Sequence, residues 1–125
     1  MRDISTTADI DLLMRDFYSR LLADDRIGYL FTNVAKIDFE HHIPKIVSFW
    51  AQNLLGEGSY SANVMKIHMD LDDKSPLLKE HFDVWLAHLD MAIDAHFAGP
   101  VCNIMKTRAL SIATFMQVKT AMKNS

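Results

Sequence analysis

Apolar side chains recur at helical spacing along most of the chain. In the first segment they follow one another at steps of three and one, which is the spacing of one face of an α-helix. The members of this face are Ile10, Leu13, Met14, Phe17, Tyr18, Leu21 and Leu22. Thr6 and Asp9 supply an N-terminal cap, and Asp24 and Asp25 end the segment. The pattern predicts a helix with a phenol, Tyr18, in the middle of its apolar face.

A short apolar connector over residues 27–31 precedes a second predicted helix at residues 41–55. Pro44 fits only the first turn of this helix, because deeper inside a helix its ring would collide with a backbone carbonyl. The start is therefore predicted at residues 41–43, and Gly56 is a suitable stop. The apolar face of the helix begins with a histidine, and its members are His42, Ile46, Phe49 and Trp50.

The middle of the chain has weaker signals. Residues 56–62 read as a loop, and residues 63–69 form at best a short, weak helix in which His68 lies among apolar residues. A serine and a proline at residues 75–76 predict the start of a further helix. Its apolar positions are Leu78, Phe82, Trp85, Leu86, Leu89 and Ile93.

Gly99 is predicted to stop that helix, and Pro100 to open the last one. The inward positions of the last helix are Val101, Met105, Ala109, Ile112 and Met116. In all we expect about five sizeable helices, one weak helix and no strand. The predicted fold class is all-α, in a single domain that spans residues 1–125.

Composition agrees with a globular domain and excludes several partners. Hydrophobic residues make up 50% of the 125 residues and charged residues 23%, which excludes a disordered chain. The net charge of −3, with no basic cluster, argues against nucleic acid as a partner. The longest stretch without a charged residue, 46–56, is about eleven residues, whereas a membrane helix needs about 20. No apolar run follows Arg2, and the single cysteine cannot form an internal disulfide, so we expect a reducing cytoplasm.

Common catalytic motifs are missing from the sequence. His81 and His88 are seven residues apart and His41 and His42 are adjacent, so neither pair has the i, i+4 spacing of helical zinc sites. No phosphate-binding glycine loop and no G-x-S-x-G motif is present. Cys102 lacks a partner pattern, and we expect it to be inert.

Side chains with polar end groups on the apolar helix faces indicate that the protein binds a cofactor. Tyr18, His42 and Trp85 lie on the apolar faces of three different long helices, and His68 is an isolated imidazole. Taken singly, each has a structural interpretation, such as a phenol bonded to a backbone carbonyl. Eight methionines likewise fit either flexible core filling or a pocket for a large apolar cofactor. Together, however, these groups need partners that an apolar core lacks, and haem would supply them.

The chain resembles the truncated haemoglobins, specifically their third group, over residues 9–116. The paired-glycine motifs typical of the first two groups are missing, which favours the third. The motifs that carry the resemblance, in order, are Asp16-Phe17-Tyr18, Gly28-x-x-Phe31, His42-x-Pro44-x-Ile46, Phe49-Trp50, Leu54-Leu55-Gly56, Gly58-x-Tyr60, His68-x-x-Leu71, His81-Phe82-x-x-Trp85-Leu86 and Arg108-Ala109-x-x-Ile112-Ala113.

The resemblance implies a shortened globin fold, a 2-on-2 helical sandwich around haem b. His68 would be the proximal iron ligand, and Phe31 would pack on the porphyrin. The opposite, ligand-binding side would be lined by Tyr18, His42, Ile46 and Trp85. Further cofactor contacts would come from Phe49, Met65, Phe82, Leu86, Ile112 and Met116. Lys45 and Lys66 would meet the propionates.

Two neighbouring histidines need separate treatment. His42, rather than His41, shares the apolar face and is taken as the distal histidine, where we expect it to gate ligand entry. His81 has no axial role in the family and is expected to be a surface or capping group.

The implied function is high-affinity binding of O₂ and other small diatomic ligands, NO and CO. The hydroxyl of Tyr18 and the indole N–H of Trp85 are the expected donors, and the ligand would supply the partner that the buried phenol needs. Oxygen transport, NO dioxygenation and weak peroxidase chemistry remain open, and the enzymatic roles need a separate reductase. The alternative is a non-haem globin-like interaction or signalling module.

Overall fold

Four α-helices and one short π-helical segment make up the regular structure in the computed structural model, which describes residues 1–34, 38–56 and 78–124. The α-helices are α1 (Thr7–Ala23), α2 (Phe39–Leu55), α3 (Lys79–His96) and α4 (Pro100–Asn124). The π-helical segment Leu30–Val34 lies in the connector between α1 and α2. Helix α1 packs on α2 and α3, and α4 packs on α3 and α2. The predicted all-α class is confirmed, while the loop at 57–62, the weak helix at 63–69 and the helix start at 75–76 lie outside the described residues.

Helix α1 has the predicted bounds because its caps are local in sequence. The hydroxyl of Thr6 accepts the N–H of Asp9, and the Asp9 carboxylate accepts the N–H of Thr6. The predicted apolar face is buried, including Tyr18, but Leu22 is 38% exposed. Leu22 was predicted to lie inside, and this was wrong because it is rotated roughly 100° from the centre of the face.

Helix α2 begins earlier than predicted. It starts at Phe39, and Pro44 lies in its second turn rather than its first. Asp38 explains the early start, because its side chain accepts the N–H of Glu40 at 3.1 Å and its carbonyl accepts the N–H of His42 at 2.9 Å. The predicted stop is correct, since Gly56 takes the left-handed conformation with φ 69°.

The corner between α3 and α4 is held by the N-terminal arm. Helix α3 ends at His96, three residues before the predicted stop at Gly99. The carboxylate of Asp3 accepts the N–H groups of Val101 at 2.9 Å and Cys102 at 3.1 Å, and so caps the start of α4. A Cβ at Gly99, which has φ 146°, would lie 2.5 Å from Cγ of Asp3, so the corner needs glycine.

The apolar faces of the four helices meet in one core. The inward positions predicted for α4 are buried or half-buried. On α3 the same holds except for Leu78, which is 52% exposed because it precedes the helix as its N-terminal flanking residue. None of the described helices is both long and apolar enough to span a bilayer.

Candidate functional site

Tyr18 of α1 and His42 of α2 form a hydrogen-bonded pair inside the protein. The phenol oxygen lies 2.8 Å from Nε2 of the imidazole, and the two rings meet edge to face at 5.2 Å. Tyr18 is 5% exposed and His42 is 9% exposed. The Tyr18 hydroxyl, for which a bound ligand was the expected partner, thus also has a partner in the protein, the imidazole of His42. The pair forms because both side chains lie on apolar helix faces that pack against each other.

Aromatic rings surround the phenol of Tyr18. Its ring centroid lies 5.2 Å from Phe17, 6.0 Å from Phe31 and 5.7 Å from Phe39, all in tilted or edge-to-face arrangements. Such pairs are favourable beyond their burial and fix the orientation of the ring. The hydroxyl of Tyr18 is thus carried by a ring that its aromatic neighbours hold in one orientation.

The proton between Tyr18 and His42 has two possible positions. The phenol O–H can donate to an unprotonated Nε2, or an Nε2–H can donate to the phenol oxygen. The two arrangements differ in the direction in which the O–H of Tyr18 points, and they interconvert without movement of a ring.

Trp85 joins this site through Phe17. The indole of Trp85, on α3, lies edge to face with Phe17 at 5.8 Å, and Phe17 also contacts Tyr18. Trp85 is half-buried. The two expected donors, from α1 and α3, therefore pack against the same phenylalanine ring.

The other expected cofactor contacts differ in burial. Among them Ile46, Phe82 and Met116 are buried, whereas Phe49, Leu86 and Ile112 are half-buried. Lys45 is exposed, as its expected role toward a propionate requires. The expected proximal ligand His68, together with Met65 and Lys66, lies outside the described residues.

His41 points away from this site. Its side chain is 82% exposed, and its Nδ1 lies 2.7 Å from the carboxylate of Asp38. His42, by contrast, faces Tyr18. The structure therefore separates the two adjacent histidines in the way that the apolar face of α2 predicts.

His81 caps helix α3. Its Nδ1 accepts the N–H of Leu78 at 2.9 Å, and its Nε2 lies 3.4 Å from the hydroxyl of Tyr29. It is only 6% exposed, so the capping alternative describes it and the surface alternative does not. An Nδ1 that accepts a backbone N–H is unprotonated, so the neutral ring carries its proton on Nε2.

The remaining described histidines contact carboxylates in α1 and at its C-terminal end. Nε2 of His88 lies 2.8 Å from Asp24, and Nε2 of His96 lies 2.9 Å from Asp16. These bonds tie α3 to the C-terminal half of α1.

Cys102 is buried at the start of α4. Burial, with a further contribution from the hydrogen bond to Asp3, raises the pKa of its thiol to about 11. The thiolate is the reactive form of cysteine, so a raised pKa makes Cys102 a poor nucleophile at neutral pH.

The described residues fit the haem that the resemblance implies. A haem pocket needs an apolar wall with a few placed polar groups. Half-buried apolar side chains of the type that such a wall needs occur on three helices, where they pack against the core, and they are Phe49 on α2, Trp85 and Leu86 on α3, and Ile112 on α4. The Tyr18–His42 pair provides the polar groups.

Comparison with known proteins places the chain in a family. A family model described as bacterial-like globin matches residues 2–123. The Group 3 truncated hemoglobin ctb of Campylobacter jejuni subsp. jejuni is 32% identical over 108 residues, which cover 84% of this chain and 83% of that protein. The crystal structure of group III truncated hemoglobin from Campylobacter jejuni superposes with a TM-score of 0.83 at 29% identity, covering 96% of this chain and 95% of that one. The chain therefore belongs to the bacterial-like globin family, a membership that implies a haem-binding globin.

Proposed function

We propose that the protein binds haem b and holds O₂, and also NO and CO, at high affinity. In this proposal His68 is the proximal iron ligand, and Tyr18, His42, Ile46 and Trp85 line the ligand side. The observation that carries the proposal is the buried Tyr18–His42 hydrogen bond of 2.8 Å, in a chain that belongs to a globin family. The pair places two polar side chains inside an apolar, aromatic surround, and a few placed polar groups in an apolar setting are typical of a ligand pocket.

Haem supplies, when bound, an iron atom that can coordinate a diatomic ligand. The protein's part is to hold or release that ligand through the groups around it. A ligand that gains negative charge, as O₂ does, accepts a hydrogen bond from the phenol of Tyr18. Hydrogen bonds to charged groups contribute about 1.5–3 kcal/mol, which corresponds to roughly tenfold to 150-fold in affinity.

Three features of the chain suit Tyr18 to this role. Tyr18 lies mid-helix, so its backbone is fixed. Its ring is held by three phenylalanine contacts, so a ligand does not have to order it. His42 keeps the hydroxyl satisfied before a ligand arrives, which avoids the cost of an unpaired buried O–H.

Trp85 and His42 have different proposed roles. The indole N–H of Trp85 is a second donor, since its ring packs on the same Phe17 as Tyr18. His42 is the fourth residue of α2, where the neighbouring His41 and Lys45 are exposed. We assign His42 to the gating of ligand entry, because it is buried beside an exposed turn.

Residues of the apolar wall hold the cofactor itself in this proposal. Phe31 packs on the porphyrin, and Lys45 and Lys66 meet the propionates. The further wall residues are Ile46, Phe49, Met65, Phe82, Trp85, Leu86, Ile112 and Met116. Oxygen delivery, NO dioxygenation and weak peroxidase activity all start from this arrangement. The enzymatic roles need a separate reductase as electron donor.

Haem titration tests the proposal. Purified protein mixed with increasing haemin is expected to develop an intense Soret band that saturates at one haem per chain. The reduced protein should then shift this band on exposure to CO. A chain that is folded by circular dichroism but develops no saturable Soret band would instead support the non-haem interaction module.

A further inference from the structure

Phe39 contacts both members of the Tyr18–His42 pair. Its ring centroid lies 5.7 Å from that of Tyr18 at an interplanar angle of 60°, and 6.4 Å from that of His42 at 88°. Phe17 and Phe31 also contact Tyr18, from α1 and from the connector. Phe39 thus contacts both rings that take part in the hydrogen bond.

The backbone around Phe39 is fixed by the cap of α2. Phe39 is the first residue of the helix, and His42 follows it by three positions, which places both side chains on one face. Asp38 accepts the N–H of Glu40 through its side chain and the N–H of His42 through its carbonyl. The backbone positions from which the side chains of Phe39 and His42 extend are therefore fixed relative to each other.

Burial gives Phe39 a second effect on the pair. Its ring is half-buried, whereas the rings of Tyr18 and His42 are buried. Phe39 is thus partly exposed to solvent while its ring contacts both members of the pair. Exclusion of water from a hydrogen bond strengthens it, since the local dielectric constant falls.

We propose that Phe39 is a positioning residue that orients the phenol of Tyr18 in its hydrogen bond to His42 and, through the orientation of the phenol, sets the discrimination between O₂ and CO. This inference rests on the proposed function for its ligand readout. It assigns no ligand contact to Phe39. Loss of the ring leaves the Tyr18 hydroxyl in place but frees both partners to tilt, so the phenol spends less time aimed at a charged ligand.

The main test compares Phe39→Leu with the wild-type protein by stopped-flow dissociation of O₂ and CO. We expect O₂ dissociation to rise about two- to tenfold, the range that an aromatic pair contributes. CO dissociation should change less than twofold, because CO carries little charge. Phe39→Tyr keeps the ring and can turn its hydroxyl to solvent, so it should retain the wild-type ratio of the two rates. Phe97→Leu, at a buried phenylalanine that contacts His96 and Arg2, controls for a loss of core packing.

A double substitution separates positioning from general destabilisation. If Phe39 acts through the phenol, Phe39→Leu should have no further effect on O₂ dissociation in a Tyr18→Phe background. An equal effect in both backgrounds, or an unchanged ratio of O₂ to CO dissociation rates in Phe39→Leu, would overturn the inference.

A spectroscopic readout keeps the inference testable apart from ligand binding. The ¹⁵N chemical shift of His42 Nε2 reports its hydrogen bond, and it is expected to move in Phe39→Leu and to stay near the wild-type value in Phe39→Tyr and Phe97→Leu. An unmoved shift in Phe39→Leu contradicts the inference even if the protein binds no haem. Absence of a Soret band in the wild-type protein contradicts the proposed function alone. Should Phe39→Leu fail to fold, Phe39→Met serves in the same measurements.

Discussion

The hydroxyl oxygen of Tyr18 lies 2.8 Å from Nε2 of His42, in a hydrogen bond that joins helices α1 and α2. His42 is therefore both a neighbour of the proposed ligand and a competitor for the phenol O–H. When the O–H donates to Nε2, it must turn away from the imidazole before it can donate to a ligand. The ligand affinity then depends on the difference between the two bonds rather than on the ligand bond alone.

Replacement of His42 by leucine tests this competition. We expect His42→Leu to change O₂ association rates more than dissociation rates, because a gating side chain is removed. Dissociation should be unchanged or slower, because the phenol has lost its competing acceptor. Flash photolysis and stopped-flow mixing measure the two rates separately, and His41→Leu, at the exposed neighbour, is the matched control. A large rise in O₂ dissociation would instead mean that His42 bonds the ligand directly.

The assignment of the proximal ligand is tested by spectroscopy. His68→Ala is expected to abolish tight haem binding or to leave the haem exchangeable, since the proposal gives the iron no other protein ligand. His81→Ala should keep the Soret band, because His81 is engaged with the N–H of Leu78 at the start of α3. It should lower the free energy of unfolding by about 1 kcal/mol through loss of the cap. An unchanged Soret spectrum in His68→Ala with haem loss in His81→Ala would reverse the assignment.

The ends of a helix were predicted correctly where its capping residues lie close to it in the sequence. The cap of α1 lies within four residues, Thr6 to Asp9, and both ends of that helix agree with the prediction. The start of α2 was predicted too late, because the restriction on Pro44 was weighed without the cap from Asp38. A good cap and an apolar face can outweigh one missing backbone hydrogen bond in the second turn.

Contacts between helices were harder to predict from the sequence than the helices themselves. Periodicity identified Tyr18 and His42 as inward-facing, yet it does not determine which inward residues of two helices meet. That depends on the crossing of α1 over α2, which the sequence pattern leaves open. Phe39 was missed because the predicted helix began after it, although an aromatic residue three positions before His42 would have been a usable signal once Asp38 was recognised as the cap.

Acid sensitivity is expected at the N-terminal arm. The hydrogen bond from the Arg2 guanidinium, with the N–H groups of Ser5 and Thr6, holds the pKa of Asp9 well below its usual range. A lowered folded-state pKa stabilises the protein above the unfolded-state value of about 4, and this contribution is lost as the pH falls. Urea unfolding should thus show a falling free energy of unfolding from about pH 5 to pH 3.

Asp9→Asn should remove part of this dependence and cost about 1–2 kcal/mol at pH 7. Asp11→Asn is the control, because the ion pair of Asp11 with Arg15 is on the surface and contributes little. Equal pH dependence in the wild-type protein and Asp9→Asn would show that the arm does not contribute.

The rate at which the Cys102 thiol is alkylated measures its burial. With its pKa raised to about 11, chiefly by burial, the folded protein holds very little thiolate at pH 8. Alkylation by iodoacetamide should therefore be about a hundredfold slower in the folded protein than in urea. The same shift predicts a stability contribution that is present below about pH 8.5 and lost as the pH rises toward 11. Equal alkylation rates in the folded and unfolded protein would contradict the buried placement.

Dissociation of O₂ from Tyr18→Phe tests the central claim most directly, because the change removes one hydroxyl and keeps the ring. We predict that stopped-flow mixing will show O₂ dissociation faster by roughly ten- to a hundredfold and a much smaller change for CO. Trp85→Phe should have a weaker effect alone, and the double variant should exceed either single one. Tyr29→Phe, whose hydroxyl lies near His81, should leave both rates unchanged. Equal effects of Tyr18→Phe on O₂ and CO, or no effect on O₂, would show that Tyr18 only supports the fold.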